Sequence, residues 1–522
     1  MTDDATDRTS APSKPSDAAA VASARDRWLV LLATSLGSSL AFLDSSVVNV
    51  ALPAIRADLE LGLAGQQWVV LAYVLALGAC YLAAGAVADR IGLRRGFVIG
   101  TIAFAIASLV VGAAPEEWSL VAARVVQGVA ASLLTTTSLA LLRVSWGEDS
   151  GRAIGLWTSI TTASIIAGPP IGGLVVEVAS WRWIFLANVP LAIVTLLAIS
   201  RASSDAAAPA DDAPPRPDIP SLLLSTAALA LVIGALVETR TLGTMWTIAL
   251  SLLAIVLLGG VWLRARAGAT PLVPRDLIRR REFAATILAT LLVYAALGAV
   301  GFFASVYLQA ASIGYSAFES GMVQMPATIL LLVLAPTFGR LSDRHGPRRY
   351  LVVGPLLFGL SALMLATVDG RTIDLVGSAP WIEFDSFDLL LPAQVLGGLG
   401  LAMLVSPITT TALRAAPDSQ AGIAAALSNL AARVGTLLAI AVLGLLAAWV
   451  FGDGDPFSPE RAAHDGDLAA WRVAMIGCAV LSAAGALVAF IGLRGTHGMP
   501  DADAEESVDS VTAGNPPASS SA

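Results

Sequence analysis

Fourteen stretches of this chain are apolar for about the length of a membrane crossing, and no soluble fold accommodates that pattern. Crossing some 30 Å of hydrocarbon takes roughly twenty helical residues. The stretches run at about 28–55, 66–88, 97–114, 118–142, 152–178, 183–200, 220–237, 244–263, 283–309, 320–341, 350–368, 387–413, 421–451 and 470–493. The expected class is an all-α polytopic membrane protein. Composition agrees, with 56% of residues hydrophobic and only 13% charged, where a soluble domain carries about 25% charged.

The chain also repeats itself. GAVADRIGLRRGFVIG at Gly85–Gly100 returns as GRLSDRHGPRRYLVVG at Gly339–Gly354, 254 residues later, with eight of sixteen positions identical. Each copy joins two apolar runs through a tight basic turn. Gly92 and Gly346 are placed to make it, because glycine takes positive φ freely. Pairing the copies equates runs 2–3 with runs 10–11, so runs 1–6 and 9–14 form two six-helix bundles with runs 7 and 8 inserted. The expected divisions are a disordered N-terminus (1–27), a first bundle (28–200), a linker with two inserted helices and a loop (201–282), a second bundle (283–494) and a disordered tail (495–522). Arg201–Pro220, rich in Ala, Pro and Asp, reads as flexible linker.

With the N-terminus cytoplasmic, inner segments carry 23 of the 31 Lys and Arg, outer segments carry six, and Arg124 and Arg433 lie within runs. The positive-inside rule then puts both termini in the cytoplasm and the acidic loops Asp369–Asp388 and Asp453–Asp467 outside. Abundant Ala and Arg with a single lysine, Lys14, point to a bacterial gene and so to a bacterial plasma membrane. That lysine lies in the polar N-terminus, which excludes a GxxxxGK(S/T) phosphate loop and ATP use through one. The first 27 residues lack the apolar core of a cleavable signal peptide. Cys80 and Cys478 read as packing residues, and His345, His464 and His497 have no metal-ligand spacing. No cofactor, metal, nucleic-acid partner or enzymatic role is expected.

Five motifs in chain order carry a family resemblance. LDSSVVNVALP (Leu43–Pro53) is similar to the family's LDxTVVNVALP. GAVADRIGLRR resembles GxLADRxGRRR, with Leu93 where arginine is usual. RVVQG (Arg124–Gly128), GPPIGG (Gly168–Gly173, with Ser164 at a usual glycine) and WRWIFLANVP (Trp181–Pro190) complete the set. Over about residues 25–495 the chain resembles a fourteen-helix drug:proton antiporter of the major facilitator superfamily. The resemblance implies the two-bundle fold of that superfamily, a cavity lined by runs 1 and 4, and a proton-coupling role for Arg124. Asn49 and Gln127, inside the same motifs, are assigned with them to the coupling site or cavity.

Asp44 is the only charge in Trp28–Ile55. A carboxylate there costs at least about 2.5–3.5 kcal/mol, so it must titrate, face water or find a cation. By helical rise, Asp44 and Arg124 fall at similar depth in the outer half of the membrane. Two readings stand for each: proton coupling, or a structural bond to a neighbouring helix. Arg433, with Asn429 in run 13, is a second intramembrane polar site whose counter-ion the sequence does not name. Thr135–Ser138, Gln309 and Gln324 read as carbonyl-bonding side chains before substrate contacts, and Tyr73, Tyr81, Trp157, Tyr294 and Phe302 as packing residues.

In the fifth run, Gly155, Gly168, Gly172 and Gly173 offer a smooth surface for a close helix, and Pro169 and Pro170 remove backbone donors. Antiporter sealing and ordinary small-residue packing both account for this. In the repeat, Gly85, Asp89, Arg90, Gly92 and Arg94, with Asp343, Arg344 and Gly346 in the second copy, form a candidate cytoplasmic gate, while Arg95 reads as topogenic. The expected function is proton-driven export of amphipathic drug-like compounds by alternating access. Export of an endogenous metabolite or lipid, or proton-coupled uptake, are the alternatives. Substrate, protons and the lipid bilayer are the expected partners.

The orientation is directly testable. Single cysteines in Asp369–Asp388 should react with an impermeant thiol reagent on intact cells, and those in Arg201–Pro220 only after permeabilisation. The reverse pattern overturns the orientation.

Overall fold

The computed structural model describes residues 24–202, 219–266, 277, 279–368, 387–416, 421–452, 456–457 and 464–494. Some side chains within helices, that of Asp89 among them, also lie outside the described residues. So do the polar termini, most of Arg201–Pro220, and most of the two acidic loops.

In hydrocarbon each backbone polar group must be paired within the chain, which leaves every apolar run the helix as its regular option. The first bundle comprises α1 (Ala24–Leu59), α2 (Leu63–Ile91), α3 (Leu93–Gly112), α4 (Glu117–Trp146), α5 (Ser150–Val178), α6 (Trp181–Leu186) and α7 (Asn188–Arg201). The inserted segment holds α8 (Ile219–Val237), the short α9 (Thr239–Leu242) and α10 (Thr244–Arg266). The second bundle comprises α11 (Arg281–Leu308), α12 (Ala317–Val323), α13 (Met325–His345), α14 (Arg348–Ala366), α15 (Phe387–Arg414), α16 (Ala421–Phe451) and α17 (His464–Gly492). Among the described residues thirteen spans are long and apolar enough to cross a membrane, and the remaining run, the seventh, is the shorter apolar helix Leu223–Val237.

Two runs are broken where the sequence reads as continuous. The sixth divides at Ala187 into α6 and α7, and the tenth divides at Gln324 into α12 and α13. Pro190 and Pro326 follow the breaks, and each lacks the N–H that would continue the ladder. At the start of α12 the chain forms a capping box, in which Ser316 Oγ accepts from the Glu319 N–H at 3.2 Å and Glu319 Oε2 accepts from the Ser316 N–H at 2.8 Å.

Both copies of the repeat fold alike. Gly92 and Gly346 close α2 and α13 with φ of 92° and 83°, a region a side chain rarely enters. Arg94 and Arg348, equivalent in the repeat, each capture the C-terminal carbonyls of their own bundle's last helix. Arg94 donates to Ile199 O at 3.0 Å, and Arg348 donates to Phe490 O at 3.2 and 3.1 Å. A cation belongs there, because the helix C-terminus is the negative end of its dipole.

The bundles meet at the end opposite the repeat turns. There α2 packs on α16, and α5 packs on α12, the two contacts occupying equivalent places in the two halves. Gln67 Nε2 donates to Ile440 O at 2.7 Å, and Gln309 Nε2 donates to Val50 O at 3.0 Å. Arg56 donates to Pro456 O at 3.1 Å and Phe457 O at 3.3 Å. GPPIGG presents two faces here. Side chains at Gly168 and Gly172 would collide with Ser46 and Val47 of α1, and one at Gly173 would strike the backbone of Ala317 and Phe318. Gly321 faces the Pro169 carbonyl in return. At the repeat end no hydrogen bond or ion pair joins the bundles among the described residues, so the described helices are bonded across the bundles at one end only. Of the inserted pair, α8 lies against α2 and α16, and α10 packs on α8 and α9.

Gly173 sits where backbone meets backbone, so Gly173→Leu should hold the closed end apart. A cysteine replacing Asn49, in a background without Cys80 and Cys478, should then react with impermeant reagent from both membrane faces. Reaction from one face only, as with Gly173 intact, would show that this contact does not form the seal.

Candidate functional site

The six residues assigned to one coupling site or cavity fall into two clusters on opposite sides of α1. Asp44, Arg124 and Gln127 are buried inside the first bundle, while Asn49, Asn429 and Arg433 line a cavity between the bundles. The helical repeat explains the division. Phe42, Ser45, Ser46 and Asn49, at i, i+3, i+4 and i+7, form the cavity stripe of α1. Asp44 is turned roughly 200° from Phe42 at about 100° per residue, and so projects into the bundle.

Inside the bundle the pair is well satisfied. Asp44 and Arg124 are each 1% exposed and form an ion pair through Oδ2 and Nη1. Asp44 Oδ1 accepts from Gln127 Nε2 at 3.0 Å and from Asn188 Nδ2 at 3.3 Å. Arg124 also donates to Gln127 Oε1 at 2.7 Å and to Val69 O at 3.0 Å. Its guanidinium lies 4.3 Å from the centre of the Tyr73 ring, a cation–π contact that gains strength away from water. Tyr73 in turn donates to Ala41 O of α1 at 2.9 Å. Ser108 Oγ accepts from Gln127 at 2.9 Å and from Asn188 at 3.4 Å. Every described group touching Asp44 is a donor, the set a carboxylate can accept.

Asn188, Ser108 and Tyr73 were not singled out by sequence as members of this network. Asn188 lies within WRWIFLANVP, and a polar residue in an apolar run was the available signal for both Asn188 and Ser108.

The cavity has two adjoining lobes of about 460 and 380 Å3, sharing Phe42, Ile165, Thr409, Asn429 and Arg433. Ligand pockets generally span about 300–1,000 Å3. Tyr294 lines the first lobe, and Tyr73, Tyr81 and Trp157 line the second, so four of the aromatics read as packing residues face this space. Phe302 is fully buried in the core. Thr135 borders the second lobe while bonding the Ala131 carbonyl at 2.8 Å, and Gln309 and Gln324 bond the carbonyls of Ser305 and Ser320 at 3.0 and 3.4 Å.

The candidate gate residues are separate from both clusters. A side chain at Gly85 would meet nothing within 4 Å, whereas one at Gly339 would meet Ser406. Asp343 lies 2.9 Å from the Arg414 guanidinium of α15. Arg90, Arg95 and Arg344 are exposed, and Gly346 is buried.

Two bundles around a largely apolar cavity that holds a few polar groups, closed at one end, define a helical membrane transporter. The fold matches solved transporters. One is a bacterial homologue of the human lysosomal transporter Spinster in an inward-facing, unoccupied conformation, with TM-score 0.65, 15% identity, and coverage of 90% of this chain and 98% of that one. Another is the peptide transporter PepTSo, with TM-score 0.63, 16% identity, and coverage of 90% and 98%. The Major Facilitator Superfamily model matches residues 34–308 and 286–518, and the chain belongs to that family. Similar sequences are the tetracenomycin C resistance and export protein of Streptomyces glaucescens (34% identical, over 82% of this chain and 77% of that one) and the multidrug resistance protein Stp of Mycobacterium tuberculosis (32%, over 84% and 80%). The puromycin resistance protein pur8 of Streptomyces alboniger is 32% identical over 86% and 88%. The chain is a transporter and not an enzyme, and it groups with the efflux branch that its motifs resemble.

Removing one member of a buried pair leaves an uncompensated charge, at about 3–5 kcal/mol. Asp44→Asn and Arg124→Gln should each lower the thermal midpoint of the purified protein. The double substitution should cost less than the two single costs combined, because partners in contact are not additive. Additive losses would show that the two side chains do not stabilise one another.

Proposed function

We propose that this chain is a proton-coupled antiporter that exports amphipathic, drug-like compounds from the bacterial cytoplasm by alternating access. The observation that carries this reading is the buried Asp44–Arg124 pair, set behind the helix that walls the cavity. The relatives named for drug resistance and export support the direction and the substrate class. Two of them are named for one antibiotic each, which supports a second reading: export of a single endogenous product by the same machinery.

On this reading a proton reaching Asp44 turns an acceptor oxygen into a hydroxyl amid donors. One of Arg124, Gln127 or Asn188 must then release it, and Arg124 is left without its counter-charge. In a low-dielectric interior that state is costly, so α1 and α4 move to a new arrangement. The same α1 carries Phe42, Ser45, Ser46 and Asn49 into the cavity. Proton and substrate thus compete through one helix and share no atom. With both termini cytoplasmic, the closed end faces outward and the cavity opens inward. The repeat supplies the inner gate, with Asp89 and the uncovered face at Gly85 making contact when that end closes.

Reconstituted vesicles with an imposed pH gradient test this. Asp44→Asn should abolish uphill efflux yet retain downhill exchange, and Asp44→Glu should restore part of the coupling. Normal uphill pumping by Asp44→Asn would make the carboxylate structural and move the coupling site elsewhere.

A further inference from the structure

Arg433 is a cation that the rest of the protein leaves to the cavity. It lines both lobes, and its stem runs across Gly78 of α2, where an added Cβ would lie 3.4 Å from the Arg433 Cβ. Among the described residues it has no hydrogen bond and no ion pair, and no Asp or Glu lines either lobe. The buried carboxylate of the neighbouring bundle, Asp44, is already held by Arg124. A guanidinium at membrane depth is costly unless something compensates it. Here the remaining partner is whatever enters the cavity.

A second polar group points the same way. Asn49 lines the first lobe, and its buried Oδ1 has no hydrogen-bond partner. A carbonyl oxygen of this kind accepts from a hydroxyl or N–H. Tyr294 stands beside these groups in the first lobe, and Phe42 closes both lobes with its ring 6.3 Å from that of Trp157. The lining is otherwise largely apolar.

We infer that the transported compounds are amphipathic anions, bound with a carboxylate, sulfonate or ionised phenol on Arg433, a hydroxyl or N–H on Asn49, and an apolar or aromatic body against Phe42 and Tyr294. This rests on the export reading above and narrows its substrate class. Lipophilic cations, which share the apolar body, are repelled by Arg433. The guanidinium is suited to the task because it binds a carboxylate or sulfonate through two parallel N–H donors.

Binding and transport tested together separate this inference from the reading beneath it. The probes are 1-pyrenesulfonate and trimethyl(1-pyrenyl)ammonium, each permanently charged and carrying the same ring. Binding is followed by tryptophan quenching of the purified full chain, and transport by uptake into inside-out vesicles under a pH gradient. Wild type should bind the sulfonate at least about tenfold more tightly than the ammonium. Arg433→Gln should abolish that preference, Arg433→Lys should keep part of it, and Arg433→Glu should reverse it. Equal affinity for the two probes, or sulfonate binding unchanged in Arg433→Gln, overturns the anion site whether or not either probe is transported. Sulfonate binding that depends on Arg433, without uphill accumulation of any probe, confirms the anion site and counts against the export reading.

Discussion

A carboxylate and a guanidinium kept out of water have no alternative to one another, and the first bundle is arranged around that fact. Asp44 comes from α1, Arg124 and Gln127 from α4, Val69 O and Tyr73 from α2, Ser108 from α3 and Asn188 from α7. Five helices therefore register the charge on one side chain. Gly128, a turn beyond Arg124, lets α4 approach α2 until a side chain would strike the Tyr73 carbonyl. That close approach brings Arg124 within reach of Val69 O and the Tyr73 ring. The second bundle shows a different use of charge: its Asp343–Arg414 pair is about half exposed and can be held at little cost.

The proposed cycle requires the contact between bundles to be reversible, and its chemistry suits that. Lipid outside is as apolar as the interface inside, so burying apolar area drives little association in a membrane. Close glycine packing and a few hydrogen bonds remain. Gln67, Gln309 and Arg56 supply those bonds to backbone carbonyls across the closed end. At about 0.6–2 kcal/mol each, the set amounts to only a few kcal/mol. Carrying a two-state equilibrium from 1:99 to 99:1 takes about 5.5 kcal/mol. In the proposed cycle a seal of that size is within reach of substrate binding and protonation acting together, where a soluble-type hydrophobic interface would hold it shut.

Much of this was legible because hydrocarbon leaves a chain few options. Fourteen apolar runs gave fourteen helical units, and a lone acid and a lone arginine at matched depth gave a pair. What the sequence did not reveal was the face. Ser38, Ser39, Ser45 and Ser46 all lie on α1, so small polar residues mark no single stripe. Only the packing of α5 onto Ser46 and Val47 and of α4 onto Asp44 separates cavity from core. The breaks at Ala187 and Gln324 were visible in Pro190 and Pro326, but an apolar run with one proline reads equally well as a kinked helix. Arg433 was seen and its counter-ion was not, because the described protein provides none.

The repeat shows how one motif serves two purposes. Arg94 and Arg348 hold the carbonyls at the end of the last helix within their own bundles. Those bonds lie within single bundles and would survive a rocking of one bundle on the other, as would the glycine turns at Gly92 and Gly346. The residues one helical turn and more before those turns behave differently. Gly339 is covered by Ser406 of its own bundle, whereas Gly85 is bare. An uncovered glycine at the end where the bundles stand apart is wasted as packing, yet it suits a helix that arrives only when that end closes. In the proposed cycle the arginines hold the last helix of each bundle in place, and the Gly85 face gains a partner when that end closes.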